Sequence, residues 1–584
     1  MKMDRRVPSF RQKCARYVHQ KGAALLIMML IMVLGTSWAL VGAVNEASRN
    51  TVREQAKTGE ALRLAKNALL GYVAQEALTN DIPGRLPCPE ALGSVGSSAE
   101  GNPDSTVGCS TLTKIGRFPW KTLGIDKPLD GAGEALWYVV GSSVRAIPIN
   151  YALTGSLTLD GTANAAVAVI IAPGVALNTA SASASAPSPC VKRDQSTGRS
   201  SSPLNPSDFI ECWNATPIVF ASSRSDTWGN DRVISITAAE VLSAIEGAVA
   251  DRIQRFVAPI LNGVPTSALD WYQNKSLSEW GVRFFPYAST WTDPTSNDSC
   301  GNYGVTEGLL PLASGEVAVG TGCSARWTTG TISRLSGSGT FFNLGCSADA
   351  VRMRCSIFYS GTPVVRVTTT ASNIAMGFRT RPTTGEITFN SAAGSTVTSL
   401  TPSIVTASGA GQVVVQATMA NKTGFGGTGA IDIPHPEDSI LVNTNTGSNP
   451  DLAWFINNQW QRYTYYAISP AVTANPSGTC CPKILGATCI SVNVTNCLTL
   501  TNAEAGSGNT NDKRIALVLS GRPLTGMTQP SSNRNAYFEA QNDQTSTLGD
   551  RNFQRGTIST TFNDRPTVCP IQKQTTASAN VLCD

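Results

Sequence analysis

"HQKGAALLIMMLIMVLGTSWALVGAV", residues 19 to 44, decides how the rest of the chain is read. A basic tail meets one glycine, Gly22, and the 22 residues from Ala23 to Val44 carry no charge. As a helix such a run spans about 33 Å, enough for the hydrocarbon core of a bilayer. It is long for an ordinary secretion signal, and small-residue sites after it, such as Val41-Gly42-Ala43, are ill defined. Up to Gly22 stand seven basic residues against Asp4 alone, a net +6, so that of the total of +5 everything after Gly22 carries −1. The positive leader is expected to stay cytoplasmic, with the rest outside. Without the leader the chain is nearly neutral, and its net charge gives no reason to expect a nucleic-acid partner.

The next stretch, "NEASRNTVREQAKTGEALRLAKNALLGYVAQEAL", continues without proline, and Leu62, Ala65, Leu69 and Val73 mark one helical face. The spacing predicts one helix over 23–78, about 80 Å long. A short basic leader, Lys21-Gly22, an apolar helix and an amphipathic continuation together resemble type IV pilins and type II secretion pseudopilins. The resemblance implies cleavage after Gly22 by a prepilin peptidase and methylation of Ala23 as the new N-terminus. It also implies packing against other pilin or pseudopilin subunits through the N-terminal helix. The protein would cross the inner membrane once with a periplasmic head, and become extracellular on assembly. Ile27 departs from the pattern, because the family usually carries glutamate at that mature position, where it is thought to meet a neighbour's terminal amine. An ionisable group in lipid is costly unless paired. A subunit with no neighbour ahead of it does not need the carboxylate, so Ile27 implies a minor, tip-located subunit. The alternative is a plain membrane-anchored surface adhesin that never enters a filament.

The chain of 584 residues is too long for one core. Its low content of charged residues, 15 %, with abundant Gly, Ser, Thr, Ala and Asn favours β-rich extracellular domains. Of fifteen cysteines, Cys14 lies in the leader and fourteen follow the apolar run, an even number that fits disulfides in an oxidising compartment. Cys88 and Cys109 flank proline-rich loops ("GRLPCPE", "GRFPWKTLG") and are a candidate pair. Cys346 and Cys355 are a second, across a hairpin.

The body reads as a duplication. Thr237 and Glu240 form a capping box before a stripe of Val241, Leu242, Ile245, Val249, Ile253, Phe256 and Ile260, which predicts a second helix. "RLPCPE" is matched by "RFFPYAS", "ALWYVVGSS" by "QWQRYTYYAIS", and "GNDRVIS" by "FNDRPTV". The chain is therefore expected to be α+β: a leader (1–22), a long pilin-like helix (23–78), and a first head module of β-rich sequence (79–237). A second pilin-head-like module of helix plus antiparallel sheet (238–314 and 431–584) is interrupted by an inserted β-sandwich (315–430), where short alternating strands dominate.

Chemistry is sparse. The two histidines are His19, in the leader, and His435, which stands between prolines without a nucleophile elbow. Cys480, Cys481, Cys489 and Cys497 favour disulfides over zinc outside the cell. "DGTAN" (160–164) and "GSGNTND" (506–512) lack full calcium-loop spacing and read as turns. The aromatic clusters 271–285 and 454–466 fit either a sugar- or partner-binding patch or the core beneath each module's helix. No enzyme activity, cofactor or metal is expected. The inserted domain, displayed outward, would meet a host or surface ligand.

Overall fold

Helix α1 runs from Ala23–Glu76, 54 residues without a break. Its last part packs Ala61, Leu62, Ala65, Leu69, Val73 and Ala77 into the core, as the 3.6-residue spacing of these side chains requires. The computed structural model describes residues 23–104, 114–177, 194–211, 219–258, 268–311, 327–473 and 497–570, with internal gaps in the ranges after 177. Within them the fold is mixed α+β, with several antiparallel sheets and few helices.

After α1 come β1 (Lys114–Arg117), β2 (Trp137–Val140), β3 (Leu157–Leu159), β4 (Thr162–Ala166), β5 (Ala168–Ala172), α2 (Gln195–Ser201), β6 (Val219–Phe220) and β7 (Arg232–Ile236). The main sheet has the order β1-β2-β5-β7 and is antiparallel throughout. The central strand β5, Ala-Val-Ile-Ile-Ala, is buried along its whole length. Its continuous apolar run is explained by cover on both faces. Ala168, Ile170 and Ala172 share a core with α1, whereas Val169 and Ile171 pack with Leu157, Ala166, Phe220, Phe209 and Ile210 from the small sheet β4-β3-β6 and its neighbouring loop.

Helix α3 (Ala238–Phe256) follows β7 directly, and its capping box is formed: Glu240 N–H donates to Thr237 Oγ1 at 3.3 Å and Thr237 N–H to Glu240 Oε2 at 2.9 Å. Val241, Leu242, Ile245, Val249 and Ile253 are buried. Next come β8 (Glu307–Leu309) and a pair of four-stranded sheets. These use β9 (Thr329–Gly337), β10 (Phe341–Ala348), β11 (Arg352–Gly361), β12 (Pro363–Thr370), β14 (Thr388–Ser391), β15 (Leu400–Thr406), β16 (Gln412–Met419) and β17 (Lys422–Pro434), while β13 (Arg379–Thr380) pairs with β18 (Glu437–Asp438). The orders are β10-β11-β17-β14 and β15-β16-β12-β9. Alternate residues of β11 and β12 are buried, as expected of strands with one face inward. β17 runs unbroken across residue 430, carrying this unit to Pro434. A disulfide joins Cys346 to Cys355 across the β10–β11 hairpin, where the two residues are direct cross-strand partners.

The chain ends with β19 (Thr464–Ile468), β20 (Leu498–Asn502), β21 (Thr510–Leu519), β22 (Asn552–Arg555) and β23 (Arg565–Pro570). Strands β8-β19-β21, with β23 on β21, repeat the order β1-β2-β5-β7, again antiparallel. The parallel β3–β6 pair is matched by the parallel β20–β22 pair. Correspondence reaches single bonds. Tyr138 Oη donates to the Pro87 carbonyl at 3.3 Å, and Tyr466 Oη to the Pro286 carbonyl at 2.9 Å. A Cβ on Gly116 would meet the Glu90 carbonyl at 2.1 Å, and one on Gly308 the Ser289 carbonyl at 1.9 Å, so both edges demand glycine. Glu211 N–H donates to Asp231 at 2.8 Å, and Glu539 N–H to Asp564 at 2.9 Å.

The two halves meet at a polar seam. Asn458, fully buried, accepts from Ile149 N–H at 3.0 Å and donates to the Asp81 carbonyl at 2.8 Å, while its own carbonyl accepts from Asn150 Nδ2 at 2.7 Å. Arg252 of α3 donates to the Ala77 and Asn80 carbonyls at 3.1 and 2.7 Å and lies 4.0 Å from the Trp454 ring centroid. It therefore caps the C-terminal end of α1 with charge of the favourable sign. Replacing Arg252 by Ala strips one buried and one half-buried carbonyl of a charged donor. The expected cost is about 2–4 kcal/mol, read as a lower urea midpoint of the detergent-solubilised protein. Arg252→Lys should recover only part, since an ammonium loses the flat stacking of the guanidinium on the Trp454 ring.

Candidate assembly surface

Along α1 the surroundings change in three steps. Large apolar side chains from Leu25 to Trp38 are 57–85 % exposed. From Ser48 to Lys57 the helix is exposed and polar, with Arg49, Arg53, Glu54 and Lys57. From Thr58 onward one face is buried. The body grips the helix where the second step meets the third: Thr58 Oγ1 accepts from Gly131 N–H at 2.9 Å, and Arg232 donates to the Gln55 carbonyl at 3.1 Å. Within the apolar step, Thr36 and Ser37 turn their hydroxyls onto the Met32 and Val33 carbonyls at 2.8 and 2.6 Å. Back-bonding of this kind satisfies a hydroxyl where no water is at hand.

Eleven large apolar side chains lie exposed in this stretch. Burying each is worth about 1.5–3 kcal/mol, so the segment demands an apolar partner or solvent. Among the described residues no helix is long and apolar enough to cross a membrane. The run described with its side chains, Leu25 to Trp38, is fourteen residues, whereas the uncharged run in the sequence extends past it at both ends. The backbone helix covers all of that longer run.

Ala23 is the first residue of α1, and Gly22 lies outside the described residues. Ile27 is 58 % exposed amid other apolar side chains. Cys88 is disulfide-bonded, while Cys109 lies outside the described residues. Of the aromatic cluster 454–466, Trp454, Trp460, Tyr463, Tyr465 and Tyr466 are core, which leaves no stacking platform there. His435 is a clasp: Nδ1 accepts from Trp327 N–H at 3.0 Å, so Nε2 carries the proton toward the Asp349 carbonyl at 2.8 Å. Trp327 Nε1 donates to the Pro434 carbonyl at 2.7 Å, closing the neck of the β unit. The stretch 160–164 is the Asp160-Gly161 turn, both residues at positive φ, running into β4, and among the described residues no His, Cys, Asp or Glu cluster could hold a metal.

A cavity of about 200 Å³ lies in the first half, lined by Glu90, Arg117, Trp120, Lys127 and Glu134 among others. Its rim charges engage one another or nearby groups: Lys127 holds Glu100 at 2.5 Å and Arg199 reaches Glu134 at 3.3 Å. No family model, curated protein or solved structure matches the chain.

The contact missed by sequence reasoning is Lys66 on Glu240, 2.5 Å apart, which ties α1 to the start of α3. Burial acts to raise the Glu240 carboxyl, but the bonds from Lys66 and Thr237 outweigh it and hold it below its ordinary value. A depressed carboxyl gives stability that is present above the unfolded-state pKa and lost as pH falls through the folded one. Protection of the Val241–Ile245 amides against hydrogen exchange, corrected for intrinsic rates, should therefore fall between about pH 6 and about pH 3. The Lys66→Met variant should show a smaller decline in this segment, since only the Thr237 bonds then remain to hold the carboxyl down.

Proposed function

We propose that the chain is a minor, tip-located structural subunit of a type IV pilus or a type II secretion-like pseudopilus, processed between Gly22 and Ala23. The observation that carries this reading is the division of α1 into an exposed apolar part (Leu25–Trp38) and a part buried on an antiparallel sheet (Ala61–Ala77). A helix built this way belongs half to its own fold and half to an apolar surrounding, first bilayer and then bundle. In this reading the duplicated sheets with their helices are pilin-head-like modules, and the inner membrane holds the chain before assembly. Ile27 keeps the exposed stripe free of charge. The mature chain of 562 residues carries a head too large for a tightly packed repeat, which favours a rare or terminal position.

Intact mass and N-terminal sequencing of the protein from membranes test the reading. The expected product starts at methylated Ala23. A Met1 start would leave a membrane-anchored adhesin outside any filament, and a start near Val44 would mean a freely secreted protein.

The β unit is the part we assign to display and adhesion. Its two ends lie together, with Trp327 bonded to both Pro434 and His435. Replacing residues 328–434 by a short Gly-Ser linker should therefore leave processing and filament incorporation intact while abolishing binding to glycan or cell surfaces. Undiminished binding by that variant would remove the adhesive role.

A further inference from the structure

Helices α1 and α3 lie side by side and parallel. Lys66 meets Glu240 near the start of α3, and eleven residues later in α1 the Ala77 carbonyl meets Arg252, twelve residues later in α3. Each helix covers a sheet of the same strand order. The second half thus stands beside the first as a neighbouring subunit would, but its helix is short. β7 ends at Ile236 and α3 is capped by Thr237, so α3 has no continuation toward the apolar end of α1.

The seam between the helices nevertheless continues along α1. Eighteen residues make five turns at 3.6 residues per turn, so stepping back from Lys66 by eighteen reaches Ser48 and then Leu30. Around Leu30 lie Leu26, Ile27, Val33 and Leu34 at the i±3 and i±4 positions, each 58–70 % exposed. This is an apolar ridge in line with the α1–α3 contact, and among the described residues nothing of the second half covers it, because α3 stops short. Met28 and Met32 lie on the opposite side, about 160° around the helix.

We propose that this ridge, Leu26-Ile27-Leu30-Val33-Leu34, is the docking face for the uncharged N-terminal helix of a different pilin-like subunit. That helix runs parallel to α1 below the capped start of α3, supplying the half-helix that the second module lacks. The proposal rests on the assembly reading above and adds which side of α1 the neighbour takes. Continuity with the α1–α3 seam sets the side. The chain's own duplication sets the direction, and eleven exposed apolar side chains between Leu25 and Trp38 set the partner's chemistry.

A photoreactive benzophenone residue placed at Leu30, or separately at Met32, tests it in the full chain, in the cells that make it. Filaments are irradiated and the adduct is mapped by mass spectrometry. The expected result is a several-fold higher yield from Leu30, attached within the uncharged N-terminal helix of another subunit. Equal yields, a higher yield from Met32, or an adduct between two copies of this chain would overturn the docking face while leaving assembly in place. No adduct from either position, with the protein processed after Gly22, would overturn the assembly reading as well.

Discussion

A single guanidinium closes the structure. Arg252 reaches from α3 to the Ala77 and Asn80 carbonyls in the turn that follows α1 and lies against Trp454, so one side chain joins the end of the long helix, α3 and the short helix at Ala453–Asn457. Four orphan carbonyls end any α-helix, and at a buried end they must find donors. Here the N–H groups of Ala77 to Asn80 take the Val73, Gln75 and Glu76 carbonyls, and the carbonyls of Ala77 and Asn80 in that turn take a charged donor from the other half of the molecule. α1 can then leave the body at a fixed angle, since its buried end is held from three directions. Gly84 allows the next segment to pass close beneath: with φ +98° it sits where a Cβ would come 2.7 Å from Ile149 and 3.2 Å from Ile245.

Asn458 does the same for the loops. Its amide is saturated by groups from both halves, and Tyr463 Oη adds a bond to Asn150 at 3.2 Å. Buried polar groups of this kind add little net stability, yet they are costly to leave unpaired. Their effect is to select one arrangement of the halves over sliding alternatives that an oily seam would tolerate. Around them Tyr151 packs edge-on against Trp460 and Tyr463, both at 5.2 Å. Shape and hydrogen bonding therefore agree on a single registration, and the parallel placement of α1 and α3 follows from it.

The local signals were legible because their partners are close in sequence. Thr237 and Glu240 are three residues apart, and the stripes of α1 and α3 repeat every three or four, so periodicity alone located both faces. The likeness of "ALWYVV" to "RYTYYAI" was legible too, and the paired registers place Trp137 opposite Ile171 where Tyr465 stands opposite Val518. What could not be read are bonds between distant positions. Asn458 and Asp81 are 377 residues apart, and nothing in either neighbourhood announces the other. The aromatic cluster at 454–466 was ambiguous for the same reason: only the approach of residues 149–151 from the first half turns it from surface into core. His435 between two prolines looked idle, since its partners Trp327 and Asp349 lie on the far ends of other strands. The β17 stretch "KTGFGGTG" carries no alternating pattern of its own, and its pairing with β11 is what defines it as strand.

Carrying both sheets on one chain has a physical consequence. Two separate modules would have to find one another and give up translational freedom on docking, whereas a covalent link makes that step intramolecular. A seam in which a few polar bonds and edge-on aromatic contacts accompany one shared apolar core is then sufficient, even though α3 is only nineteen residues long. The same economy explains why the second module can do without an apolar half-helix. Its position is fixed by Arg252, Asn458 and Lys66–Glu240, all well above the apolar step of α1. The apolar part of α1 extends beyond all three contacts, and among the described residues α3, capped at Thr237, does not follow it there.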